Sequence, residues 1–157
     1  MKYPLSSRGL FGRKYLDIQE RSRELPAPEE DRVLVRVRAC GVCGTDLNFV
    51  RDWKDDPQPL GHEIAAEVLE VGRKVPGLKA GDRVIVEDCT MCGSCPDCKS
   101  GHPELCRNLF TLEGQPGMGE YLSVRWNSLV PFEGLDYALA SLTEPLAVCF
   151  TAVLNAQ

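Results

Sequence analysis

Cys92, Cys95, Cys98 and Cys106 are spaced C-x2-C-x2-C-x7-C, which gathers four sulfur donors into one short loop. That is the donor set of a tetrahedral zinc ion. Clustered cysteines can instead form disulfides. The opening Met1-Lys2-Tyr3-Pro4 lacks the apolar run of a secretory leader, so a reducing cytosol that keeps thiols free is the expected setting. A site closed by four thiolates leaves no position for a substrate. Its expected contribution is folding free energy, on the order of 10 kcal/mol or more at neutral pH. Any chemistry is therefore expected elsewhere in the chain.

A second constellation is more open. Cys43 lies in Gly41-Val42-Cys43-Gly44-Thr45-Asp46, directly after a predicted strand, and His62 lies in Gly61-His62-Glu63 at the start of the next. Both residues are good zinc ligands at strand ends. One cysteine and one histidine are weak evidence alone, because a buried cysteine commonly acts as a small hydrophobe. The flanks add weight: Gly61 lets backbone approach closely, and Glu63 offers a further oxygen ligand or an acid behind the ligands. Of the chain's 2 histidines, the other, His102, falls inside the cysteine loop and reads as a loop residue, with replacement of one sulfur as an open alternative.

The elements that must position these groups are short and mostly β. Val33, Val35, Val37 and Ala39 alternate with Leu34, Arg36 and Arg38, the period of a strand with one buried face. Further strands are predicted over Tyr15 to Gln19, Glu63 to Val71, Arg83 to Glu87 and Glu120 to Val124, separated by Gly72, Pro76-Gly77, Gly81-Asp82 and Gly117. Short strands with Gly and Pro punctuation point to a small barrel or sandwich. Tyr137 to Leu142 is a short predicted helix, and Pro145 suits the first turn of another running through Ala147, Val148, Thr151 and Leu154. No internal repeat or low-complexity segment stands out.

Composition sets the outer bounds. At 157 residues, 43% hydrophobic and 26% charged, the chain has room for one domain with its own core. A formal charge of −5 argues against a general nucleic-acid binder, which needs a basic face. No stretch approaches the ~20 apolar residues of a membrane span, so no membrane partner is expected and a cytoplasmic protein is the default.

Taken in order, Gly41-Val42-Cys43-Gly44-Thr45-Asp46, Gly61-His62-Glu63, Gly77-Leu78-Lys79-Ala80-Gly81-Asp82-Arg83-Val84, the four-cysteine lobe and Glu144-Pro145-Leu146-Ala147-Val148 resemble the zinc-dependent medium-chain alcohol dehydrogenases over nearly the whole chain. The closest likeness is to the polyol, threonine and glucose dehydrogenase branch. The resemblance implies a GroES-like catalytic domain over residues 1–157, a distorted β-barrel, mainly β with attached helices, carrying a structural zinc lobe at about residues 89–108. It implies two zinc ions per chain. Cys43 and His62 are implied ligands of the catalytic zinc, with Glu63 or Glu144 completing the set, Glu144 directly or through water. Asp46 is expected to accept the second imidazole N–H of His62, and Thr45 to hydrogen-bond the alcohol and begin a proton relay. Several relatives have histidine at the position of Asn48, which cannot titrate, so the relay must end differently here. Cys40 is expected to be a packing residue at the end of its strand, Cys149 to pack in the core, and Cys89 to be a spectator, with a register slip to Cys89-x2-Cys92-x2-Cys95 as the alternative.

The implied reaction is oxidation of an alcohol by hydride transfer to NAD or NADP. That requires a Rossmann domain, and none is legible here: Gly114-Gln115-Pro116-Gly117-Met118-Gly119 lacks G-x-G-x-x-G spacing and precedes a predicted strand. The expectation is a catalytic domain whose coenzyme-binding domain is missing from this sequence, inactive alone, homo-oligomeric when complete, with an exposed apolar surface near Leu142 to Leu154. Glu144 in place of cysteine leans towards polyols, sugars or amino alcohols. Phe49, Trp53 and Phe110 are candidate pocket walls, with core packing as the equal alternative. Two other classes compete: a zinc-stabilised interaction module, which explains only the cysteine lobe, and a thiol redox protein built on the C-x2-C pairs.

Overall fold

Apolar residues at every second position build the core of the molecule, a curled antiparallel sheet of five strands. The structure is a computed structural model that describes residues 6–27, 29–53 and 55–156, with the backbone alone at 52 and 53. The sheet comprises β3 (Arg32–Cys40), β5 (Ile64–Val71), β6 (Arg83–Val86), β9 (Tyr121–Arg125) and β10 (Leu129–Pro131), in the order β10-β6-β5-β3-β9. Val33, Val35, Ile64, Ala66, Val68, Val84, Val86 and Leu122 pack together inside the curl, each at most 1% exposed. The alternate residues Ala65 and Ile85 face the other way, against Ala140 of α3 (Tyr137–Ser141) with Phe132 and Tyr137 around it.

β3 departs from simple alternation. Its pairing with β5 shifts register between Leu34 and Val35 and again between Val37 and Ala39. Leu34 is buried beside Val33 and Val35, and the strand bends with the half-barrel, as bulges require.

A three-stranded sheet, β2-β1-β4, lies alongside, formed by β1 (Ser6–Arg13), β2 (Asp17–Glu24) and β4 (Gln58–Pro59). β1 is absent from the sequence expectation, and the strand expected at Tyr15 to Gln19 begins later. Tyr15 and Leu16 form the hairpin tip at φ 68° and 58°. These side chains favour strands in general, but Lys14, Tyr15 and Leu16 are all that connects Arg13 to its partner Asp17, and a three-residue connection turns the chain back through left-handed backbone. The glycine cluster at 114–119 is packing rather than a nucleotide loop. A Cβ on Gly117 would press on the Gly61 carbonyl and Ile64, and Gly9 bridges Gly119.

The helices are few. α1 (Gly44–Asn48) leads into a π-helical turn (Phe49–Trp53), α2 (Pro96–Lys99) sits in the cysteine lobe, and α4 (Thr143–Asn155) ends the chain. No residue of α4 is buried. Cys149, expected in the core, is exposed on it, because no described element covers that helix.

Candidate metal centres

β3 ends at Cys40 and β5 starts at Ile64, antiparallel partners in register, so the segments carrying Cys43 and His62 lie at the same end of these two strands. Cys43 is the N-cap of α1, and Asp46, three residues on, accepts its N–H at 3.0 Å in a capping-box arrangement. The other Asp46 oxygen accepts the N–H of Gly61 at 2.8 Å. One carboxylate, 3% exposed, thus fastens both donor-bearing segments. The hydrogen bond expected from His62 to Asp46 is not made, since Nδ1 stands 4.0 Å from Oδ1. Asp46 acts on the backbone around the donors instead.

Glycine is required on both sides. Gly61 has φ +88°, and a Cβ there would lie 2.7 Å from the Met118 nitrogen and 2.6 Å from the Cys40 sulfur. A Cβ on Gly41 would collide with the Glu63 carboxylate, while the Gly41 N–H donates to the Glu63 carbonyl at 2.8 Å. The outcome is that donor atoms of Cys43, His62 and Glu63 lie within 4.8 Å of one another. A thiolate, an imidazole and a carboxylate at that separation fit a borderline cation such as zinc with room for a further ligand. Cys40 is a neighbour of another kind: burial, then the charges of Asp46 and Glu63, push its thiol up to about 12, so it stays protonated.

His62 lines a cavity of about 410 Å³ together with Thr45, Phe49, Asp88 and Glu144. Thr45 is on α1, with Oγ1 3.7 Å from the Cys43 sulfur. Glu144 enters from the first turn of α4; burial raises its pKa, nearby His62 opposes this, and Asp88 and Glu63 add to it. It faces the same cavity but is outside the three-residue donor cluster. Phe110 is not a wall of this cavity and lies beneath the Arg125 guanidinium, 5.4 Å from its ring centroid. The Trp53 side chain lies outside the described residues. Asp88 and the 111–115 wall, absent from the sequence expectation, carry only the weak signal of an acid just past a strand end.

The second cluster is the lobe. Cys92, Cys95, Cys98 and Cys106 hold their sulfurs within 4.8 Å of one another, and tetrahedral Zn–S bonds of about 2.3 Å place sulfurs roughly 3.8 Å apart. All are free thiols. The Ser94 hydroxyl and N–H and the Cys95 N–H donate to the Cys92 sulfur and pull that thiol down to about 6. Desolvation beside Cys95 and Cys106 pushes Cys98 up to about 12. Such a set accepts full ionisation only with a cation among the sulfurs. His102 stays apart, 3.1 Å from Glu104. β7 (Cys89–Thr90) and β8 (Phe110–Thr111) pair at the neck of the lobe.

Residues 29–134 match the family model of the alcohol dehydrogenase GroES-like domain, and the chain belongs to that family. It falls with the zinc-dependent medium-chain dehydrogenases of the polyol and threonine branch. It is 34% identical over 144 residues to L-galactonate-5-dehydrogenase of Escherichia coli K12, covering 87% of this chain and 42% of that protein. To sorbitol dehydrogenase of Bacillus subtilis 168 it is 38% identical over 137 residues, 79% of this chain and 38% of the relative. The crystal structure of 2R,3R-butanediol dehydrogenase from Bacillus subtilis superposes with a TM-score of 0.76 at 31% identity, covering 94% of this chain and 47% of that one. The chain thus spans about two-fifths of the length of the curated relatives it matches.

Proposed function

We propose that residues 1–157 are the metal-bearing catalytic part of a zinc-dependent dehydrogenase that oxidises a polyol, sugar or amino alcohol with NAD or NADP. The observation that carries this is the convergence of Cys43, His62 and Glu63 on one point beside a cavity that also receives Thr45 and Glu144. Cys43 and His62 hold the catalytic ion, with Glu63 or Glu144 completing the set, Glu144 directly or through water. When bound, zinc supplies the Lewis acidity that lowers the pKa of an alcohol. Thr45 accepts the hydrogen bond of the substrate hydroxyl and passes its proton on. Asn48 is exposed and cannot titrate, so the proton leaves to water. Cys92, Cys95, Cys98 and Cys106 hold a second, structural zinc in a lobe at about 89–108. Nicotinamide is held by a coenzyme-binding domain joined to this one in a cytoplasmic homo-oligomer. Positioning of donor and acceptor is worth roughly 7–11 kcal/mol of barrier, so this chain alone is inactive.

The relatives' names span a sugar acid and a sugar alcohol, alike in being polyhydroxy and unlike in charge, so they support a polyhydroxy substrate and leave its charge to this chain's own residues. Among the described residues, no helix is long and apolar enough to cross a membrane. Elemental analysis after zinc reconstitution is expected to give two zinc ions per chain in the wild type and one in Cys43→Ser. Two ions in both proteins, or robust NAD(P)+ reduction by residues 1–157 alone, overturns the reading.

A further inference from the structure

The cavity over His62 is lined, among the described residues, by no lysine or arginine. Two guanidinium groups reach its 111–115 wall, and both are engaged. Arg32, 5% exposed, pairs with Glu113 at 2.6 Å and donates to the Ser123 carbonyl at 2.9 Å. Arg23 donates to the Glu113 carbonyl at 2.8 Å. Gln115 is 2% exposed, with its amide spent on Leu112 and Ser123. Asp88 is different. It is half-buried just beyond β6, and its carboxylate makes no hydrogen bond or ion pair among the described residues. With Cys89 and Glu144 it lines both this cavity and the adjoining groove of about 560 Å³ along α4, so it stands where the two meet.

We propose that Asp88 is a charge filter at the mouth of the metal cavity, selecting uncharged polyhydroxy alcohols against phosphorylated or carboxylated ones. The proposal rests on the dehydrogenase reading above. A dication held by the Cys43 thiolate and the Glu63 carboxylate is formally neutral, so the field at the mouth is set by the carboxylates left over. An anionic substrate meets like charge there with no cation to receive it, and like-charge juxtaposition is a strong means of rejection. A neutral polyol brings hydroxyl donors to an acceptor whose lone pairs are free.

The test uses this chain loaded with cobalt(II), whose visible bands, taken as the difference from Cys43→Ser loaded in the same way, report on the open site, titrated with azide as an anionic probe and imidazole as a neutral one. Asp88→Asn is expected to tighten azide about three- to tenfold and to leave imidazole within about twofold, the range set by partly exposed charge pairs. The azide effect shrinks in high salt. Asp88→Ser repeats the result should the amide disturb folding, and Asp88→Glu keeps the wild-type ratio. Azide and imidazole affinities that move together, or a ratio untouched by both neutral variants, overturn the filter. Cobalt bands identical in wild type and Cys43→Ser show instead that the open metal site is absent, which removes the underlying reading and the filter with it.

Discussion

Asp46 offers two oxygens to two backbone N–H groups, those of Cys43 and Gly61, and is almost wholly withdrawn from water. Asparagine has one carbonyl oxygen and places an N–H₂ donor against the second N–H, so Asp46→Asn leaves a buried donor unsatisfied and forces the two donor-bearing segments apart. Loss of outer partners of this kind typically costs 10–100-fold in metal affinity. Cobalt titration of Asp46→Asn is expected to show about that weakening at the Cys43/His62 site, with the cysteine lobe unchanged. Equal weakening at both sites would mean general unfolding rather than loss of a clamp. Cys43 and His62 were legible in the sequence because ligand types at strand ends beside glycines are a local pattern. The real partners of Asp46 were not, because they are backbone groups, and only the fold brings residue 61 to residue 46.

At the scale of elements, the lobe and the sheet hold themselves together differently. From residue 91 to 109 only Cys95 is buried, so the lobe has almost no apolar core and relies on its donors, the short β7–β8 pair and contacts such as Arg107–Asp97 at 2.7 Å. Metal-binding energy there is folding energy. Cys98→Ser is accordingly expected to open the lobe to proteolysis between Gly93 and Leu105 and to lower the melting temperature sharply. Cys43→Ser leaves the Asp46 clamp and the sheet intact and should shift it little. Similar melting losses in the two variants would remove this division. The central strands were readable from period-2 apolar runs. β1 was not, since Ser6-Ser7-Arg8-Gly9-Leu10-Phe11-Gly12-Arg13 carries glycines that normally mark loops. Those glycines have a packing reason: a Cβ on Gly9 would strike Pro116, and one on Gly12 would strike Val50 and Leu60.

For the molecule as a whole, the informative feature is where apolar surface is left uncovered. α4 exposes Leu146 at 62%, Phe150 at 66% and Val153 at 61% along one face, with Val148 at 61% on the side of the adjoining groove. Isolated exposed leucines are ordinary, but a contiguous run along one helix is an association surface. The isolated chain is therefore expected to bind hydrophobic dyes and to self-associate as its concentration rises. Phe150→Glu should suppress both, as seen in dye fluorescence and sedimentation. Because that side chain packs on little within the chain, the same substitution should change stability by no more than about 0.5 kcal/mol, the range for surface sites. A monomer whose dye binding is unaffected by Phe150→Glu would place the uncovered surface elsewhere. A large fall in melting temperature would show that α4 is covered in solution by a part of the chain other than the elements described.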